Sequence, residues 1–181
     1  QLRNAVRTVN PNADHIIDFE VATFQRTHPE AMLYLHTEIQ GAIQGVNLPS
    51  MCEAHGIPSE RIIQCDQHKY VTGMLPQEHL ANAYNAMDVF LNTSYGEGFG
   101  IPIIEAMACG APVVASSTTS LPEVVGDAGL LCDPRDAAAL ATAIRRVLDE
   151  PGLAEVCAAD VYAAAGIGPR ELDIAWMLHA H

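Results

Sequence analysis

Short apolar runs alternate with longer amphipathic stretches along the chain, and the alternation predicts strands and helices in turn. Ala5-Val6-Arg7-Thr8-Val9 reads as a strand ended by Asn10-Pro11-Asn12. Ala13 to Arg26 reads as a helix with Ile16, Ile17, Phe19, Val21 and Phe24 on its apolar face. Met32 to Leu35 is a second strand and Gly41 to Asn47 a loop. Pro49 to His55 is a short helix closed by Gly56, a residue that helix C-termini prefer. Arg61 to Cys65 is a third strand. Pro76 stands at the start of a helix over Gln77 to Met87, followed by a strand over Asp88 to Asn92. A helix over Ile101 to Cys109 ends at Gly110, and a strand covers Pro112 to Ala115. Leu121 to Val125 is a short helix, Gly129 to Cys132 a strand, and Asp136 to Asp149 a helix. A last helix covers about Leu153 to Ala165, and the tail after Gly166 is only partly amphipathic.

About six strands alternating with helices predict a doubly wound α/β fold on a mostly parallel sheet. The strands at Asp88 to Asn92 and Pro112 to Ala115 are near-continuous apolar runs, as a sheet covered on both faces requires. No linker divides the 181 residues, so residues 1–181 read as one domain. Hydrophobic residues make up 49%, enough to build a core without staples. No apolar run is long enough to span a membrane, and no signal peptide opens the chain. Gln1 in place of Met points to a chain that starts inside a longer gene product.

Charge narrows the choice of ligand. Twenty-two acidic residues against nine basic ones give −13, and Lys69 is the one lysine. Such a surface repels nucleic acid and anionic membranes. A phosphate would have to be held locally, by backbone N–H groups and an arginine. Five cysteines at irregular spacing, with no CxxC pair, read as reduced thiols of a cytoplasmic protein. The eight histidines include no metal-ligand spacing, so no metal or other cofactor is expected.

The informative stretch runs from Tyr95 to Gly110. It follows a strand and opens a helix, where open parallel sheets bind ligands. Gly96, Gly98 and Gly100 remove side chains, so that a ligand can approach the backbone and positive φ angles are allowed. Pro102 suits the first helical turn. The helix start then favours a phosphate. Glu97 and Glu105 would repel that phosphate, and so need a separate reason. Ionised carboxylates accept hydrogen bonds from hydroxyls. A nucleotide sugar would use the whole set, with Glu97 on the sugar, Glu105 on the ribose diol and the diphosphate between them. The glycines alone could be misread as a dinucleotide fingerprint, but that motif belongs after the first strand.

Glu97-Gly98-Phe99-Gly100-Ile101-Pro102 with Glu105, then Ala106-Met107-Ala108, Gly110 and Pro112 to Ala115, resembles the E-x7-E signature of family 4 glycosyltransferases. Gly73, Leu80, Tyr84, Ala86 and Asp88-Val89 fit the family's segment before the signature. Leu121 to Val125 and Gly129 to Pro134 fit the segment after it, and His28 to Leu35 is similar to a member's second strand. The likeness covers about residues 5–160. It implies a GT-B enzyme, of which this chain is the C-terminal, Rossmann-like, donor-binding domain; the N-terminal acceptor domain is absent from the chain. It implies retaining transfer of a hexosyl group without a metal, with Glu97 as the catalytic residue at the sugar. Gly98, Phe99, Gly100 and Ile101 would approach the sugar and diphosphate, Glu105 would take the ribose, and Gly73, Met74 and Leu75 would hold the base. Arg7 would contact the diphosphate. Members also carry a lysine a few residues later, and Thr8 to His15 contain none. Losing one charge-assisted contact of that kind costs about 1.5–3 kcal/mol, or roughly tenfold or more in affinity.

Three readings stand at this point: the donor half of a glycosyltransferase; a non-catalytic nucleotide-sugar-binding or scaffolding module; and, less favoured by the Glu97 to Gly110 match, a sugar-nucleotide epimerase or glycogen synthase-like enzyme of the same fold. His36, Thr37 and Glu38 follow a strand end and are candidates to face the cleft. Ser116 to Ser120 read as a polar turn within reach of a ligand. Asn92-Thr93-Ser94 matches a glycosylation sequon, a match without meaning in the cytoplasm, and Cys109 reads as a core residue.

Overall fold

The computed structural model describes residues 5–8, 22–37, 39, 47–150, 152 and 153. The strands are β1 (Ala5–Thr8), β2 (Met32–Leu35), β3 (Ile62–Gln64), β4 (Val89–Asn92), β5 (Val113–Ser116) and β6 (Gly129–Cys132). The helices are α1 (Ala22–Thr27), α2 (Leu48–Ala54), α3 (Gln67–Val71), α4 (Gln77–Asn85), α5 (Ile101–Ala108), α6 (Leu121–Val125) and α7 (Ala137–Asp149), with a 3-10 turn at Ser59–Arg61. The strand order is β3-β2-β1-β4-β5-β6, and all neighbours pair in parallel. The expected doubly wound α/β fold is the observed one.

Alternation along each strand divides two cores. Leu33, Leu35, Val89, Leu91 and Val114 pack on one face against Leu140, Ile144 and Val147 of α7. Tyr34, Phe90, Val113 and Ala115 pack on the other against Tyr84 of α4, Ile103 and Met107 of α5, and Leu121 of α6. Both faces are covered, which is why β4 and β5 are buried at every position. Burying each large side chain contributes about 1.5–3 kcal/mol. Close approach also fixes one small residue: a Cβ on Gly129 would lie 2.9 Å from the Val113 carbonyl oxygen.

One helix departs from expectation. Gln67–Val71 has no apolar face to reveal it and is defined by its ends. Asp66 accepts the Lys69 N–H at 3.0 Å, and the Gly73 and Met74 N–H groups close the other end on Tyr70 and Lys69 carbonyls. Gly73 takes the left-handed conformation, φ +68°, that this closure needs. α1 ends at Thr27; the residues from Ala13 to Val21 of that expected helix lie outside the described ones, as does the expected helix beyond Leu153.

Strand order reverses between β1 and β4. Connections lead from β1 to one side and from β4 to the other, leaving a crevice beyond their carboxyl ends. Arg7 pairs with Phe90 in register, so β1 brings an arginine position to the strand that carries the glycine-rich loop.

Candidate functional site

The loop from Thr93 to Gly100 leaves β4 at that crevice and enters α5. Gly100 caps α5 in the left-handed region, φ +74°. A Cβ there would also lie 3.0 Å from Leu121 Cδ2, so both conformation and space demand glycine. Gly96 and Gly98 differ: neither has a positive φ, a Cβ on Gly98 would meet nothing within 4 Å, and one on Gly96 would make an ordinary 3.9 Å contact with Thr119 Cγ2. Of the three expected glycine positions, Gly100 is required by the fold, Gly98 borders open space and Gly96 lies in ordinary contact range of Thr119.

The amides are equally informative. Pro102 has no N–H, and Ile103 donates to the Gly100 carbonyl at 2.9 Å. The N–H groups of Gly98, Phe99, Gly100 and Ile101 donate to no described residue. Four consecutive amides at a helix start form an anion-binding arrangement.

Two carboxylates flank it, each half-committed. Ser94 Oγ donates to Glu97 Oε1 at 2.7 Å, and Tyr84 Oη donates to Glu105 Oε2 at 2.9 Å. The remaining oxygen of each has no partner among the described residues. Each acid is oriented from behind and can accept from a ligand hydroxyl in front. Asn92 Oδ1 accepts the Ser94 N–H at 3.0 Å, and the Ser116 hydroxyl donates to the Ser94 carbonyl at 2.6 Å. Asn92 and Ser94 are buried, which removes the sequon from the surface. The hydroxyls of Ser116, Thr118, Thr119 and Ser120 bond to this loop, although Ser117 and Thr119 themselves are exposed.

Gly73, Met74 and Leu75 lie between α3 and α4, and the Tyr84–Glu105 bond joins α4 to α5. Met74, Phe99 and Ile101 are each more than half exposed. Arg7 is placed on its strand by register; its side chain lies outside the described detail, as do residues 9–21. Lys69 is exposed and pairs with Asp66 at 3.8 Å. Beside β2, Tyr34 Oη lies 3.1 Å from His36 Nδ1 and 3.0 Å from His79 Nε2, linking a strand end to the first turn of α4. Cys109 closes α5; burial, and then the Glu105 charge, push its thiol up to about 11. Among the described residues no cluster of three His, Cys, Asp or Glu side chains could hold a metal ion, and no helix is long and apolar enough to cross a membrane. A hollow of about 580 Å³ beside α2 and β3 lies away from this site, and its lining includes Glu53 and Glu60 but no cationic side chain.

A sequence model of the family described as glycosyl transferases group 1 matches residues 27–150, more than half of the chain. The chain belongs to the group 1 glycosyltransferases. This glycosyltransferase chain is 49% identical over 87 residues to the O-antigen chain mannosyltransferase B of Escherichia coli, covering 48% of the chain and 23% of that relative. It thus spans less than a quarter of that relative's length. Sucrose-phosphate synthase from Thermosynechococcus elongatus superposes with a TM-score of 0.69 at 29% identity, covering 88% of this chain and 41% of that one. Anabaena HepE in complex with UDP and glucose superposes with a TM-score of 0.67 at 22% identity, covering 91% and 44%. Both neighbours bear out the GT-B fold assignment.

Proposed function

We propose that this chain is the donor-binding domain of a retaining, metal-independent glycosyltransferase that moves a hexosyl group from a nucleotide sugar. The observation that carries the reading is the pairing of four amides that donate to no described residue with two carboxylates whose second oxygen is open among the described residues, at one helix start. The amides and Arg7 suit a diphosphate, Glu97 suits the sugar, and Glu105 suits the ribose. When the bond between the anomeric carbon and the phosphate oxygen breaks, charge develops on the leaving diphosphate. Helix-terminal amides stabilise charge of that kind without reorganising. Gly73, Met74 and Leu75 hold the base, and Gly98, Phe99, Gly100 and Ile101 line the diphosphate and sugar. The complex of HepE with UDP and glucose supports the choice of ligand class.

Catalysis belongs to a cleft shared with an N-terminal acceptor domain. The exposed Met74, Phe99 and Ile101 at the rim of the site support a second domain covering it. The free thiols of Cys52, Cys109 and Cys132 support a cytoplasmic setting.

Calorimetry with UDP-glucose and GDP-mannose tests the site. Millimolar or tighter binding that Glu105→Ala abolishes is the expected result; no binding by either ligand removes the reading. The isolated chain should transfer no sugar, and turnover by it would refute the shared cleft.

A further inference from the structure

Glu97 sits between two glycines, so its own chain neighbours restrain it little. Three hydroxyls from elsewhere supply the restraint. Ser94 takes the carboxylate at 2.7 Å; Thr119 Oγ1 accepts the Glu97 N–H at 3.3 Å; Ser120 Oγ donates to the Glu97 carbonyl at 3.0 Å. The proton count is consistent. Thr119 donates its own hydroxyl proton to the Thr118 carbonyl at 2.8 Å, which leaves lone pairs for the Glu97 N–H. Ser120 spends its proton on Glu97.

Thr119 also has φ +54°, and it is the one non-glycine residue with positive φ among the described residues. A β-branched side chain is rarely found there. Strained backbone of this kind persists where the surroundings over-determine it, and it clusters at functional sites. Its methyl group would be the nearest neighbour of a Cβ on Gly96, at 3.9 Å. The strained residue therefore meets the loop at Gly96 and at the Glu97 amide.

We infer that Thr119 and Ser120 are positioning residues that fix Glu97 against the transferred sugar, so that the β5–α6 turn sets the sugar-dependent part of donor recognition. This rests on the reading of Glu97 as the residue at the sugar. The turn reaches Glu97 alone of the two acids; Glu105 is oriented by Tyr84 on α4. Nucleotide binding and sugar recognition are thus held by separate supports.

The test compares affinities of this chain for UDP and UDP-glucose, and for GDP and GDP-mannose. Ser120→Ala and Thr119→Gly should leave nucleoside diphosphate affinity within about twofold. Each should weaken nucleotide-sugar binding by about three- to tenfold, the worth of one hydrogen bond. Thr119→Gly relieves the strained backbone, so it keeps a folded variant in the set. Ser120→Thr and Thr119→Ser, which keep the hydroxyls, should restore the sugar-dependent gain. In a Glu97→Ala background, Ser120→Ala should have no further effect. Equal losses for nucleotide and nucleotide sugar, or no loss at all, would overturn the inference while leaving the donor site intact. A chain that binds nucleotide but gains nothing from the sugar would overturn it as well. A wild-type chain that binds none of the four ligands would overturn the donor-site reading and this inference with it.

Discussion

Tyr84 Oη donates to Glu105 Oε2 at 2.9 Å, and it does so from a side chain that is 1% exposed. The bond crosses from α4 to α5, and it turns one carboxylate oxygen inward while leaving the other open. Hydrogen bonds to charged groups contribute about 1.5–3 kcal/mol. Tyr84→Phe keeps the packing and deletes the bond. Affinity for UDP or GDP should fall at least about tenfold, measured by calorimetry. Unchanged affinity would mean that Glu105 needs no such support.

Gly100 and Gly73 both have positive φ, but their surroundings differ. A Cβ at Gly73 would meet nothing within 4 Å, whereas one at Gly100 would press on Leu121 and Ile103. Gly73→Ala should cost about 1 kcal/mol, from backbone alone. Gly100→Ala should cost about 3 kcal/mol or more, from backbone and overpacking together. Denaturant titration of the two variants checks the order; equal losses would contradict it.

The Cys109 thiol, pushed up from 9.0 to about 11, gives a pH signature. Its folded value lies above its unfolded one, so the stability it contributes is full below pH 9.0 and is lost as pH rises towards 11. At pH 8 roughly one Cys109 in a thousand is thiolate, so alkylation there should be very slow. Burial is the larger cause and the Glu105 charge the second. Glu105→Gln should therefore bring the labelling midpoint part of the way down, without restoring the ordinary value.

Tyr34 Oη has one proton and two imidazole neighbours, so it can donate to no more than one of them. At least one imidazole thus presents an N–H to the phenol. Tyr34→Phe breaks the tie between β2 and α4 and should lower stability by about 1–2 kcal/mol. A thermal midpoint equal to wild type would show the link to be idle.

The strands were legible because a parallel sheet covered on both faces leaves continuous apolar runs, as at Val89–Asn92 and Val113–Ser116. α3 was not, because Gln67–Val71 lacks an apolar stripe and owes its form to Asp66 and Gly73 at its ends. The two acids stood out from glycine spacing and from their likeness to a known signature. Their supports did not. Tyr84 lies 21 residues from Glu105, and Ser120 lies 23 from Glu97, separations that only the folded sheet brings together. Ser116 to Ser120 read only as a polar turn because serine and threonine are ordinary turn formers; the bonds of Ser116, Thr118, Thr119 and Ser120 to the loop depend on β4 and β5 being neighbours.

The hydroxyls that tether the glycine-rich loop are encoded downstream of it, at Ser116, Thr118, Thr119 and Ser120. During translation the loop leaves the ribosome before any of them. The bonds that tether it exist only where β5 lies beside β4 and the following turn is formed. A nascent chain halted before Ser116 would carry both acids and the glycines of the loop with none of these four hydroxyls.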